Sequence, residues 1–224
     1  MDLQLLSSFT ERLRKEALGD PSWIDEKGVF EYPNGGVETV AVLKAVRAAQ
    51  GIKSMHLLCT NGLFIDMGAI FRSVDDCTRE VYFLLENYPE KSALVEKFVK
   101  AFFQTTIDGH MSVETEHVPT KKIHSAVVRT LSGLQQDDKT LAKIQLVYKT
   151  FSGYTHANYS HIMEIYGGTY PNLSFNVGGV PSLQQREWRM QLVEAACLSV
   201  LYALAFVAHT LGLEDLNKEI AQSF

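Results

Sequence analysis

The chain has 224 residues, of which 46% are hydrophobic and 21% are charged, and its formal net charge is −5 at pH 7. This composition is typical of a soluble globular protein, and the length suffices for one large domain or two small ones. The negative charge argues against a broad electrostatic surface for nucleic acid, although it leaves room for a small basic patch.

Cysteine usage and the first residues indicate the compartment. Cys59, Cys77 and Cys197 are an odd number and lie far apart, each within an apolar helical pattern. Such cysteines are typical of a reduced intracellular protein that uses the side chain as a small hydrophobe. Residues 1–4 begin no basic stretch followed by an apolar one, so no secretory signal is expected and we predict a cytoplasmic location.

The spacing of apolar residues predicts helices along most of the chain. A first helix covers residues 2–18 and stops at Gly19-Asp20-Pro21. Residues 22–36 contain turn-forming glycines, a proline and an asparagine, which predict a loop. A second helix covers about 37–50 and ends near Gly51.

The clearest long helix is predicted over residues 53–87, where apolar positions alternate spacings of four and three as in the seam of a bundle. Pro89 closes it, and another helix runs over about 91–107. A polar loop then leads to a short helix at about 120–133.

The last third of the chain predicts a helix from Asp137 that stops by Gly167-Gly168. Residues 167–181 hold four glycines and two prolines, which indicate a long ordered loop or a small hairpin. A long helix over 182–213 and a short terminal one over 214–224 follow. The predicted fold is an all-α single domain over residues 1–224, a bundle of about six to eight helices.

The charge-free segment Ala195–Leu213 is about long enough to span a bilayer. It is rich in alanine and carries Cys197, His209 and other polar side chains, and its flanks are acidic as much as basic. This favours the central helix of a bundle over a membrane span, so no membrane partner is expected.

The densest chemistry lies in one aromatic-rich stretch, residues 148–161, which carries several hydroxyls, two imidazoles and the amide of Asn158. Tyr148, Ser152 and His156 recur every four residues, so on a helix they would form one polar stripe. Buried polar groups need partners, so such a stripe either meets a matching polar face or lines a cleft.

A matching face is available on the long helix, where Arg72 and Glu80 belong to a cluster of alternating charges. If the two helices meet, His156 would act as a general acid or base and Glu80 would orient it. Lys149 or Arg72 would stabilise a developing anion, a combination that suits phosphodiester chemistry. The alternative is an internal histidine whose hydrogen bonds are purely structural, with the charges on a solvated helix face.

Metal and nucleotide sites find little support. Glu114-x-x-His117 matches half of a di-iron motif without a second copy, and His110, His117 and His124 are seven residues apart with Pro119 between them. Nucleophile-elbow, phosphate-loop and dinucleotide motifs are absent from the sequence. We expect no metal and no cofactor.

Arg72 followed by acidic residues, and a later Tyr148-x-x-x-Ser152-x-x-x-His156, together resemble uncharacterised prokaryotic helical proteins related to the HEPN superfamily (higher eukaryote and prokaryote nucleotide-binding domains). The resemblance covers about the central half of the chain. It implies a helical bundle that dimerises and, in many members, a metal-independent ribonuclease with an Arg and a His on one helix. His156 would be that histidine, but Lys149 stands at the arginine position and lacks the planar fork that grips phosphate.

These observations lead to three hypotheses. The first is a HEPN-like homodimer that binds or cleaves RNA without metal, using His156, Lys149 and Arg72, with Tyr148, Ser152, Glu80 and Asn158 as binding residues. The second is a non-catalytic interaction or dimerisation module in which the same residues form a structural network. The third is a small-molecule sensor closed by the loop at 167–181.

Overall fold

The computed structural model describes residues 2–104, 118–131 and 137–224. In these residues the chain forms a bundle of nine helices with two small antiparallel hairpins, which confirms the all-α prediction. The count exceeds the predicted maximum because the segment from Asp137 contains two helices instead of one.

The helix bounds follow the predicted pattern at both ends of the chain and depart from it in between. The helices are α1 Leu3–Leu18, α2 Val37–Thr60, α3 Phe64–Leu85, α4 Ala93–Gln104, α5 Thr120–Leu131, α6 Asp138–Thr155, α7 Tyr159–Met163, α8 Leu183–Thr210 and α9 Glu214–Ala221. The strands are β1 Ser22–Ile24, β2 Val29–Glu31, β3 Tyr166–Thr169 and β4 Asn172–Phe175. The predicted ends at 105–107 and 132–133 lie outside the described residues.

The predicted helix end at Gly51 is wrong, because α2 continues through this glycine to Thr60. Gly51 is buried where α2 meets α3, and a Cβ there would lie 2.3 Å from Val74 Cγ2. The glycine therefore allows close approach of two helices and does not end one. The chain turns later, at Gly62, whose φ is +73°.

The predicted loop at 22–36 is also wrong in part, because it contains the hairpin of β1 and β2, in which Trp23 pairs with Phe30. Their rings meet edge to face at 4.9 Å. Residues 167–181 were predicted to form either a long ordered loop or a small hairpin, and the structure shows the hairpin. Its strands β3 and β4 pair with Tyr166 opposite Phe175.

Helix α6 ends at Thr155, twelve residues before the predicted stop at 167, through hydrogen bonds from Asn158 N to Gly153 O and from Ala157 N to Tyr154 O. Ala157 lies in the left-handed region with φ +51°. This is a Schellman motif, which closes a helix most often with glycine at the position that alanine takes here. His156 is consequently the capping residue of α6 and does not continue the stripe of Tyr148 and Ser152.

The core lies where α2, α3 and α8 pack together, with α1, α5 and α9 around them. It is one continuous cluster of buried apolar side chains, including Ile52, Met67, Val81 and Leu204, each 2% exposed or less. Within the described residues, α8 is the one helix long and apolar enough by composition to cross a membrane, and 44% of its most apolar window is buried in the bundle.

Candidate functional site

Helices α3 and α6 pack together and bring Arg72 to Tyr148 and Ser152. The guanidinium carbon lies 3.7 Å from the centre of the Tyr148 ring, and Arg72 Nε donates to Ser152 Oγ at 3.3 Å. Arg72 also forms an ion pair with Asp76, one turn along α3. The arginine side chain is 12% exposed, so its plane is fixed between an aromatic face and a hydroxyl.

Glu80 shares a cavity with Arg72 but pairs with a residue that the sequence did not indicate, Lys44 of α2, at 2.6 Å. The Lys44 ammonium also lies 5.5 Å from the ring centres of Phe98 and of Phe102. Glu80 therefore neutralises a lysine in this structure, and within the described residues it does not contact His156.

A second charged group on α3 surrounds Arg79, whose side chain is only 8% exposed and is thus more deeply buried than that of Arg72. Its Nε donates to Asp75 Oδ1 at 2.9 Å, and its Nη2 lies 2.7 Å from Asp75 Oδ2. Nη1 reaches His124 Nε2 at 2.9 Å and the carbonyl of Ile144 at 3.2 Å. One buried guanidinium thus ties α3 to α5 and α6.

The imidazole of His124 is 3% exposed and lies edge to face with the Tyr148 ring at 5.1 Å. Burial, followed by the charges of Arg79 and Arg72, lowers the pKa of His124 to about 4. The ring is neutral near pH 7, and because Arg79 can only donate, Nε2 is the acceptor and Nδ1 carries the proton. The basic nitrogen of His124 is therefore already occupied.

Tyr148 is held from three sides. A hydrogen bond with Thr120, and further ones with Arg72 and Ser152, lower the pKa of the Tyr148 phenol, against the opposing effect of burial. The phenol thereby joins the two arginine groups into one network across α3, α5 and α6.

Part of this network lines a cavity of about 350 Å³ between α2, α3, α4 and α5, whereas Tyr148 and Ser152 are not among its lining residues. Its charged wall consists of Lys44, Arg72, Arg79, Asp76 and Glu80, to which His124 adds a neutral ring. Phe98 and Phe102 form an aromatic side. The wall therefore carries three cations and two carboxylates, with Asp75 paired to Arg79 behind it.

The structure does not bring His156, Lys149 or Asn158 to this cavity. All three are exposed, and with the described residues none of their side chains forms a hydrogen bond or an ion pair. His156 lies beyond the end of α6, where its backbone N–H donates to Ser152 O at 3.0 Å. The proposed stripe thus divides into an inward pair, Tyr148 and Ser152, and an outward imidazole.

Sequence reasoning missed the role of His124, which it considered only as a metal ligand. The available signal was its place on α5 beside Val127 and Val128, three and four residues on, which form a buried face. Lys44 gave no comparable signal. In the described ranges no three His, Cys, Asp or Glu side chains could share a metal ion, and the predicted half-motif of Glu114 and His117 lies outside those ranges.

Comparison of the chain with protein-family models, with curated proteins and with solved structures gave no significant match. The HEPN-like resemblance therefore stays a prediction that rests on Arg72, Tyr148, Ser152 and His156.

Proposed function

We propose that the protein is a binding protein or sensor for a small oxyanion, a carboxylate or a phosphate, which occupies the cavity around Arg72. The single observation that supports this most is the fixed guanidinium of Arg72, held against Tyr148 and Ser152 in a wall with two further cations. A planar guanidinium binds an oxyanion through two parallel hydrogen bonds, which suits either group.

Entry of an anion requires a carboxylate to leave. Asp76 is the best candidate, because its side chain is 36% exposed and can turn to water while Arg72 stays in place. Glu80 is 18% exposed and remains with Lys44. The rings of Phe98 and Phe102 would then contact an apolar body attached to the anion.

Binding is favoured over catalysis because, among the described residues, the one histidine that lines the cavity already uses its basic nitrogen. His124 Nε2 accepts from Arg79, and the exposed His156 is outside the cavity. A general base needs a free lone pair within reach of the proton it removes.

The test is isothermal titration calorimetry with inorganic phosphate, adenosine monophosphate and benzoate. We expect at least one of these anions to bind to the wild type and to bind about tenfold more weakly to Arg72→Gln, since a charge-assisted hydrogen bond contributes about 1.5–3 kcal/mol. Lys149→Gln removes the same charge from an exposed position on α6 and should bind like the wild type. No binding by the wild type, or equal losses in both variants, would contradict the proposal.

The second candidate is metal-independent RNA cleavage at the surface of α6. It is favoured by Lys149 and the capping His156, which are both exposed near the C-terminal end of α6. Purified wild-type protein should then cleave mixed RNA in the presence of EDTA, and the His156→Ala variant should lose this activity. Equal cleavage by wild type and variant would discard this role.

A further inference from the structure

A second cavity, separate from the one around Arg72, opens between α3, α5, α6 and α8. Its volume is about 660 Å³, within the range of small-molecule sites. Large apolar side chains surround the opening and remain exposed there: Leu131 is 60%, Leu198 46% and Tyr202 55% exposed. Ala195 and Ser199 of α8 contribute small exposed side chains to the same wall.

The polar groups of this second cavity offer acceptors more than donors. Arg79 forms part of its wall, but its Nε, Nη1 and Nη2 already face Asp75, His124 and the Ile144 carbonyl. Asp75 also lines the cavity, and each carboxylate oxygen keeps a lone pair beyond its contact with Arg79. An anion would meet the Asp75 carboxylate, and the one cation among the described lining residues, Arg79, is already paired with that carboxylate.

Tyr82 supplies a further unmatched group. The residue is 7% exposed, packs on Phe206 at 5.1 Å between ring centres and lines the same cavity. Its hydroxyl makes no hydrogen bond to any residue that the structure describes. The hydroxyl oxygen itself is not fully buried, so water or an occupant of the cavity can pair with it, and the described residues leave this hydrogen-bonding capacity unused.

We propose that this second cavity binds an uncharged, mainly apolar small molecule that carries one hydrogen-bond donor, an O–H or N–H, directed at Asp75. The apolar body would cover Leu131, Leu198 and Tyr202, and the donor would complete the coordination of the carboxylate. The proposal for this site does not rest on the oxyanion site proposed above, although Arg79 lies in the walls of both cavities.

The probe for this site is N-phenyl-1-naphthylamine, an apolar molecule with one N–H whose fluorescence rises on transfer from water to an apolar site. We expect saturable binding by the full chain. Ser199→Phe, and separately Ala195→Phe, should weaken it at least about tenfold by filling the cavity from exposed positions. Gln191→Phe adds the same ring to an exposed position of α8 outside the cavity and should leave binding unchanged.

The donor is tested by displacement of this probe with 1-phenoxynaphthalene, in which an ether oxygen replaces the N–H. Its affinity should be about tenfold lower, the loss expected for a hydrogen bond to a charged group. Absence of saturable binding, equal binding by all three phenylalanine variants, or equal affinity for the ether would each overturn the proposal. Tighter binding of the anionic 1-anilinonaphthalene-8-sulfonate in competition would overturn it as well.

Discussion

At the scale of single residues, the ion pair of Arg79 and Asp75 shows how the chain keeps charge inside a bundle. Burial raises the pKa of the Asp75 carboxyl and lowers the pKa of Arg79, while each partner opposes these changes in the other. Loss of one partner from such a pair typically costs about 3–5 kcal/mol, because the remaining charge stays buried. Both residues lie on α3, so the pair neutralises the buried Arg79, and it is the contacts of Arg79 with His124 and the Ile144 carbonyl that connect α3 to α5 and α6.

His124 adds a pH dependence that can be measured. Its pKa is lowered from 6.5 to about 4 by burial and by the two arginines, so in this range the unfolded chain takes up a proton that the folded chain does not. The contribution of His124 to the free energy of unfolding then falls as the pH drops from 6.5 to 4, by an amount on the order of 3 kcal/mol. Urea unfolding across this range should show that His124→Asn, which keeps an acceptor for Arg79, loses most of this dependence.

The exposed imidazole of His156 provides the control for this experiment. His156→Asn should unfold with the pH dependence of the wild type. Asp75, whose pKa burial raises, acts in the opposite sense at the acidic end and is present in every protein compared. If the free energy of unfolding of His124→Asn changed with pH as that of the wild type does, the buried neutral ring of His124 would not be the cause of the pH dependence.

At the scale of elements, α2 and α3 form the tightest helix pair of the bundle through Gly51. The added Cβ of an alanine would lie 2.3 Å from Val74 Cγ2 and 3.2 Å from Arg47 Nη1. Helix propensity and packing act in opposite directions here, since alanine favours a helix interior by about 1 kcal/mol and overpacking costs about 1–3 kcal/mol.

We expect packing to prevail in Gly51→Ala, because Val74 is buried and its methyl group cannot move away freely. The free energy of unfolding should fall by about 1 kcal/mol, the difference between those two effects. Urea unfolding of this variant and of Gly178→Ala, where an added Cβ meets open space, measures the effect. A more stable Gly51→Ala would show that α2 and α3 separate easily at this point.

At the scale of the whole molecule, periodicity predicted the bundle because most helices have one continuous apolar face. It failed where a local signal competes with tertiary packing: Gly51 suggested an end where the partner helix requires a glycine, and Ala157 ends α6 without a glycine. The contact of Arg72 with Ser152 spans 80 positions of sequence. Such pairings depend on how helices are arranged, which spacing within one helix does not encode.

The same limit explains the candidate site. Polar residues spaced along a single helix can be recognised in a sequence, and Arg72, Tyr148 and Ser152 were therefore identified without the structure. Lys44 and His124 join them from helices whose patterns are otherwise ordinary. The homodimer, the RNA partner and the cytoplasmic location stay predictions.

One side chain separates the two cavities. Arg79 contributes to both walls, and its guanidinium contacts Asp75, which lines one cavity, and His124, which lines the other. A ligand in either cavity that moved the Arg79 guanidinium would also change the wall of the other cavity. By thermodynamic reciprocity, a ligand in one cavity would change the affinity of the other cavity by the same factor as the reverse. Two ligands of different chemistry would thus be coupled through a single arginine.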